Sequence, residues 1–301
     1  MSEAIIFNLF TENDHLANKI ATSLSIAKGK FVLRTFPDQE TYFKFEESVA
    51  NKEIIFIASL NKPNEKILPL VFAAETAKEL GAKRVGLIAP YLAYMRQDIR
   101  FQPGECITSK YYAKLISNSF DWLITIDPHL HRYRHLNEIY SISIQTLHAT
   151  TQIAKWIKEN VTNPVLIGPD SESKQWIEKV AFNENIPYLI LEKTRHGDKQ
   201  VEIQAPLLKQ NSHCTPVLID DIISTACTMI ETVRQLNKLC KNSPVCIGVH
   251  GVFAEDAYQK LLHENIQQIV TCNTIYHVSN KIDISTLLIA ALSKQLAIKI
   301  T

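Results

Sequence analysis

Apolar runs rich in Ile, Val and Phe alternate with stretches of helical spacing almost from one end of the chain to the other. The runs at 4–9, 30–35, 53–60, 84–90 and 122–127 predict strands, because β-branched and aromatic residues suit a pleated surface. Between them, 14–26, 64–80 and 108–117 carry apolar residues three and four apart, which predicts helices. The second of these ends in Leu80-Gly81, where glycine supplies the residue that helix C-termini favour. After about residue 148 the scheme restarts. It predicts helices at 149–160, 173–183, 225–240, 256–266 and near 284–297, and strands at 164–168, 187–192, 215–220, 245–253 and 268–273.

Such alternation implies parallel sheets covered on both faces by helices. Two runs of similar plan suggest a duplicated α/β domain, residues 1–148 and 149–301, without a residue-by-residue repeat. No Gly/Ser-rich linker separates them.

Composition narrows the class. Hydrophobic residues make up 46% and charged residues 21%, which gives a soluble globular chain a substantial core. A net charge of +1 offers no electrostatic reason to expect nucleic acid or a membrane as partner. No basic segment precedes the short apolar run of MSEAIIFNLF, so no secretory leader is expected. No apolar stretch approaches the roughly 18 residues that a membrane span needs. The six cysteines include no CxxC pair; they read as reduced, mostly buried thiols of a cytoplasmic protein.

In open α/β sheets, ligands gather beyond the C-terminal ends of the strands, and the polar clusters are all expected there. Asp220 and Asp221 end an apolar run and precede Ser224, Thr225 and Thr228. Paired carboxylates can hold Mg²⁺, and hydroxyls with N–H groups at a helix start can hold a phosphate; a plain strand end and helix cap is the other reading. DPHLH, with His129 and His131, can face a metal or polyphosphate or be an ordinary loop. FPDQE reads as a turn whose ring and carboxylates could recognise a purine. RQD offers a planar guanidinium for phosphate. EKTR places Lys193 and Arg195 where a mobile loop would suit phosphoryl transfer, or a charged hairpin would suffice. Asp170 is a metal ligand or an N-cap. The chain has no Walker A, GxGxxG or GxSxG pattern.

Taken in order, these clusters resemble the ribose-phosphate pyrophosphokinases, or phosphoribosyl-pyrophosphate synthetases. FPDQE is similar to the family's FPDGE, APYLAYMRQDIRFQPGE to its PYxxYxRQDR segment, and TIDPHLHR to the region of its DxH histidine. LEKTR resembles the start of its flexible catalytic loop, and DDIISTACT its DDxxxTGGT ribose-phosphate loop. The resemblance implies two phosphoribosyltransferase-like domains, each a mainly parallel sheet flanked by helices. It also implies transfer of the diphosphoryl group of ATP, with Mg²⁺, to the 1-hydroxyl of ribose 5-phosphate, giving phosphoribosyl pyrophosphate and AMP. Phe36, Asp38, Glu40, Arg96, Gln97 and Asp98 would then bind ATP, the first three from a neighbouring subunit of a homodimer or higher homo-oligomer. His129 would face the phosphates and metal, and Asp170 would support the metal. Asp220 and Asp221 would order the ribose, Ser224, Thr225, Ala226, Cys227 and Thr228 would hold the 5-phosphate, and Lys193 and Arg195 would stabilise the transition state.

Departures from the pattern are Gln39 for glycine, Ser224 where many members have aspartate, and Ala226-Cys227 for the paired glycines. A Cβ at a left-handed position costs of order 1–3 kcal/mol. A non-catalytic regulatory homologue and a phosphoribosyltransferase are the alternatives; the retained charged groups favour an active diphosphokinase.

Overall fold

In the computed structural model, residues 3–169, 173–191, 194–196, 200–202 and 213–298 are described. Contacts divide the chain into two units. The first comprises Met1–Leu147, Thr274–Tyr276 and Ser285–Thr301, and the second His148–Asn273 and His277–Ile284.

The first unit starts with β1 (Ala4–Phe7), α1 (Asp14–Leu24) and β2 (Ala27–Lys28). A ribbon of β3 (Phe31–Thr35) and β4 (Thr41–Phe45) follows, then β5 (Glu53–Ile57), α2 (Pro63–Glu79) and β6 (Arg84–Ala89). The unit continues with α3 (Thr108–Ser119), β7 (Trp122–Ile126) and β8 (Ser143–Leu147). Its sheet runs β2-β1-β5-β6-β7-β8, parallel throughout. The second unit holds α4 (Thr150–Asn160), β9 (Pro164–Gly168), α5 (Lys174–Glu184) and β10 (Tyr188–Ile190). Its ribbon is β11 (Thr194–His196) with β12 (Gln200–Glu202). Then come β13 (Thr215–Ile223), α6 (Cys227–Leu239), β14 (Val245–Gly251), α7 (Ala257–Leu262), β15 (Gln268–Cys272) and β16 (Asn280–Ile282). The sheet order β10-β9-β13-β14-β15-β16 is also all parallel. The last helix, α8 (Ser285–Leu296), belongs to the first unit.

The two sheets share one plan. The first strand lies between the second and third, and an antiparallel ribbon separates those two in sequence. This is the doubled α/β architecture that the alternating pattern implies. The run at 30–35 is a strand but stands outside the parallel sheet, paired antiparallel with 41–45. Its partner TYFKF is half exposed and carries no continuous apolar run, so composition did not mark it. The same holds for 27–28, 143–147 and 280–282, which sit at or near sheet edges with partial exposure.

Local chemistry fixes the element ends. At the end of α2, Gly81 has φ +84. Its N–H donates to Lys78 O at 3.0 Å, and the Ala82 N–H to Ala77 O at 2.9 Å, which closes the helix in a left-handed cap. Gly86 serves packing instead: a Cβ there would lie 1.9 Å from the Trp122 ring. The buried Trp122 donates through Nε1 to Glu53 Oε1 at 3.0 Å, and Arg84 Nε donates to Glu53 Oε2 at 2.9 Å. The carboxylate is thereby satisfied inside the fold.

Candidate active site

In the second unit the strand β13 runs three residues past its expected end. Asp220 and Asp221 therefore lie within the strand, half-buried, and the Asp221 N–H donates to Asp220 Oδ1 at 2.9 Å. The turn after it is pinned from the side: Phe253 N–H donates to Ile223 O at 2.9 Å and Ala254 N–H to Ser224 O at 3.1 Å. Thr225 and Cys227 are exposed and Ala226 is buried. Helix α6 then starts at Cys227, with Ala226 as an N-cap that has no side-chain oxygen to give. A helix start so capped offers its first-turn N–H groups outward, at the positive end of the helix dipole. That is an anion-binding geometry made of backbone.

Ala226 adopts φ 59 and ψ 5, the left-handed region. The loop shape that glycine favours is thus kept, and the alanine bears its cost. Cys227 is the first α-helical residue, so the strain falls on one of the two replaced positions only. The Cys227 thiol donates weakly to Thr225 O at 3.8 Å.

In the first unit, the segment after β6 and the segment after β7 are brought together. Asp98 is 3% exposed and accepts from Arg132 Nη1 at 2.8 Å. Tyr133 OH donates to Asp98 O at 3.1 Å and lies 3.2 Å from Ser109 Oγ. Glu138 Oε1 accepts from the N–H groups of Arg134 and His135, at 2.6 and 3.1 Å. The loop carrying His129 and His131 is held at several points, and the two rings stand 4.5 Å apart at 32°. Arg96 is exposed and Gln97 half-buried beside the buried Asp98. RQD thus faces two ways. Glu105 shapes the next turn, accepting from the N–H groups of Phe101 and Gln102 at 2.7 and 3.1 Å. The sequence alone gives Arg132 and Glu105 no role, since a charged side chain in a polar loop looks solvated until its partner is known.

FPDQE forms the tip of the β3–β4 ribbon, not the end of a parallel strand. The Phe36 N–H donates to Glu40 O at 2.8 Å and the Gln39 N–H to Phe36 O at 2.9 Å. Gln39 takes φ 75, so the exchange of glycine at this turn puts a side chain in the left-handed region. Asp38, Gln39 and Glu40 are exposed. Arg34, which the sequence reading passed over, lies 4.6 Å from the Phe36 ring centre and 4.3 Å from that of Tyr42. This guanidinium–aromatic stack stiffens the tip.

Asp170 and Lys193 lie outside the described residues, and of Arg195 only the backbone is described, paired with Val201. Among the described residues no group of three or more His, Cys, Asp and Glu side chains converges on a metal position. Mg²⁺ commonly completes its shell with water and substrate oxygens, so a single carboxylate, of Asp220 or Asp221, is enough to fit such an ion. All six cysteines are free; Cys214, Cys246 and Cys272 are buried, Cys106 and Cys227 exposed. Burial pushes the Cys246 thiol up to about 12, so it is no nucleophile. Among the described residues no helix is long and apolar enough to cross a membrane.

Residues 5–119 match the N-terminal domain of ribose phosphate pyrophosphokinase, and 136–283 match a phosphoribosyl transferase domain. A ribose-phosphate pyrophosphokinase of Saccharolobus solfataricus is 32% identical over 269 residues, 88% of this chain and 90% of the relative. That of Sulfurisphaera tokodaii is 29% identical over 277 residues, 91% of this chain and 94% of the relative. The crystal structure of a phosphoribosylpyrophosphate synthetase from Mycobacterium smegmatis superposes with a TM-score of 0.86 at 22% identity. It covers 98% of this chain and 99% of that one, and shares its fold.

Proposed function

We propose, from the premise that this chain belongs to the ribose-phosphate pyrophosphokinase family, that it makes phosphoribosyl pyrophosphate from ATP and ribose 5-phosphate. The 1-hydroxyl oxygen of the sugar attacks the β-phosphorus of ATP. The bond from that phosphorus to the α–β bridging oxygen breaks, and AMP leaves. The observation that carries the reading is the turn Ser224–Thr228 joined to the carboxylate pair Asp220–Asp221. Backbone N–H groups for a phosphate and oxygens for sugar hydroxyls sit within one short segment.

In this reading the first turn of α6, with Ser224, Thr225 and Thr228, holds the 5-phosphate, and Asp220 and Asp221 fix the ribose hydroxyls. Arg96 and Gln97 bind the ATP phosphates. Asp98 acts from behind, through Arg132, to hold the His129 loop in place. Phe36, Asp38 and Glu40 recognise adenine from a neighbouring subunit of a homo-oligomer. Mg²⁺, with His129, Asp170 and the aspartate pair as candidate ligands, would neutralise charge on the phosphates when bound. Lys193 and Arg195 supply cations for the charge that develops on the transferred group. Phosphoryl transfer rewards positioning and charge, and needs no protein nucleophile. We place this activity in the cytoplasm, in nucleotide synthesis, on the six free cysteines and the lack of any CxxC pair in the sequence.

The missing glycines at 226 and 227 favour a non-catalytic regulatory homologue. The left-handed Ala226 weakens that reading, because the turn keeps its shape without them. Titration calorimetry tests the assignment of substrates. ATP and ribose 5-phosphate are both expected to bind, whereas a phosphoribosyltransferase would take the diphosphorylated sugar and a base. For the loop cations, Lys193→Ala is expected to lower turnover at least about 100-fold while ribose 5-phosphate affinity stays within error. Unchanged turnover would remove Lys193 from the mechanism.

A further inference from the structure

The parallel pairing of β13 with β14 ends at Ile223 and Gly251. Just beyond it the chain takes a conformation that side chains rarely adopt: Phe253 has φ 42 and Glu255 has φ 54. For a bulky residue this is costly, and it persists only where the surroundings enforce it. The detour turns the Phe253 N–H onto Ile223 O at 2.9 Å and the Ala254 N–H onto Ser224 O at 3.1 Å. These are the last carbonyl of β13 and the first of the turn that precedes α6.

The surroundings are aromatic. The half-buried Phe253 ring stands 4.5 Å from that of His277 at 36° and 5.1 Å from that of Tyr258 at 71°. The Tyr258 and His277 rings are themselves 4.5 Å apart. Tilted and edge-on pairs at such distances attract beyond the area they bury. His277 is fixed in turn, its N–H donating to Asn280 Oδ1 at 2.8 Å and its Nδ1 lying 2.8 Å from Ser279 Oγ. Ser279 Oγ is 2.7 Å from Thr271 Oγ1 on β15. Gly251 leaves the ring its space, since a Cβ there would lie 2.6 Å from it. The ring is thus held by α7 and by the β15–β16 turn, while the backbone it belongs to holds the turn before α6.

We propose that Phe253 is a positioning residue for the sugar phosphate: its stacked ring keeps residue 253 left-handed, and the segment so bent clamps the turn Ser224–Thr228 in the shape that presents N–H groups to the 5-phosphate. This rests on the assignment of that turn to ribose 5-phosphate. Without the ring, residue 253 returns to an ordinary backbone region, and the two N–H groups leave Ile223 and Ser224. Helix α6 stays in place, because Met229, Val233 and Leu236 anchor it in the core. The loss falls on the 5-phosphate and spares ATP.

Isothermal titration calorimetry of the intact chain tests this, with ribose 5-phosphate and ATP as separate titrants and circular dichroism as a check on folding. Phe253→Ala is expected to weaken ribose 5-phosphate at least about tenfold and to leave ATP affinity within about twofold. Phe253→Gly also lacks the ring but takes positive φ without strain, so it is expected to lose less than Phe253→Ala. Simple loss of packing would rank the two the other way. Should neither fold, His277→Ala removes the stack from outside and is expected to weaken ribose 5-phosphate at least about threefold. The proposal is overturned by an alanine variant within about twofold of wild type, by a glycine variant as weak as the alanine one, by equal losses for both ligands, or by unchanged affinity in His277→Ala. Product formation is read separately. A wild type that binds ribose 5-phosphate and forms no product counts against the diphosphokinase, and the ranking of variants still decides the clamp. A wild type that binds no ribose 5-phosphate overturns both.

Discussion

At Ala226 two energies oppose each other. The left-handed backbone costs an alanine about 1–2 kcal/mol, while its buried methyl returns about 0.8 kcal/mol. Ala226→Gly is therefore expected to raise stability by up to about 1 kcal/mol in denaturant titration, whereas Cys227→Gly, inside the helix, gains nothing. A loss in the first or a gain in the second would show that the strain is placed wrongly. Asp98 makes a different case. Arg132→Ala leaves a carboxylate that is 2% exposed without its partly exposed cation, an expected loss of about 2 kcal/mol. Asp98→Asn in the same background is expected to recover most of it, and independent losses for the two changes would deny the coupling. At this scale the sequence was half legible. The resemblance to a glycine-bearing loop marked residue 226, but an alanine carries no sign of its own φ. RQD showed three polar residues alike, and only folding reveals that Asp98 turns inward while Arg96 stays outside.

Among the elements, apolar runs long enough to be buried on both faces declared themselves, and β5, β6, β7 and β14 are buried along nearly their whole length. Of the four edge strands, β2, β8 and β16 did not, because one side faces water and the run breaks up, whereas β10 did. β3 was misplaced for a related reason: FVLRT reads as a strand whichever sheet it joins. The turn between β15 and β16 has a consequence for pH. His277 packs against Phe253 and Tyr258 with ring centres 4.5 Å away, its Nδ1 is 2.8 Å from Ser279 Oγ, and burial pushes its pKa below the ordinary 6.5. The unfolded chain then binds the proton more readily. Stability is full above about 6.5 and falls as pH drops through the folded value. His277→Gln is expected to lessen the fall in melting temperature between neutral and mildly acidic pH; equal slopes for both proteins would refute it.

For the whole molecule, doubling is the organising fact. Two sheets of the same strand order, each with a ribbon between its second and third strands, put polar segments at equivalent ends. Alternation of strand and helix over the full length made that legible. What it could not show was that the chain returns, so that α8 closes the first unit although it follows the second in sequence. Long-range pairing of this kind leaves no local pattern. The proposed activity requires that a glycine-free turn still serve a working diphosphokinase. Phosphorus NMR of the purified protein with ATP, Mg²⁺ and ribose 5-phosphate asks this directly. AMP and a sugar-linked diphosphate are expected to appear together, in equal amounts. If neither forms, while an active family member passes the same assay, the claim is contradicted and the chain is a non-catalytic relative.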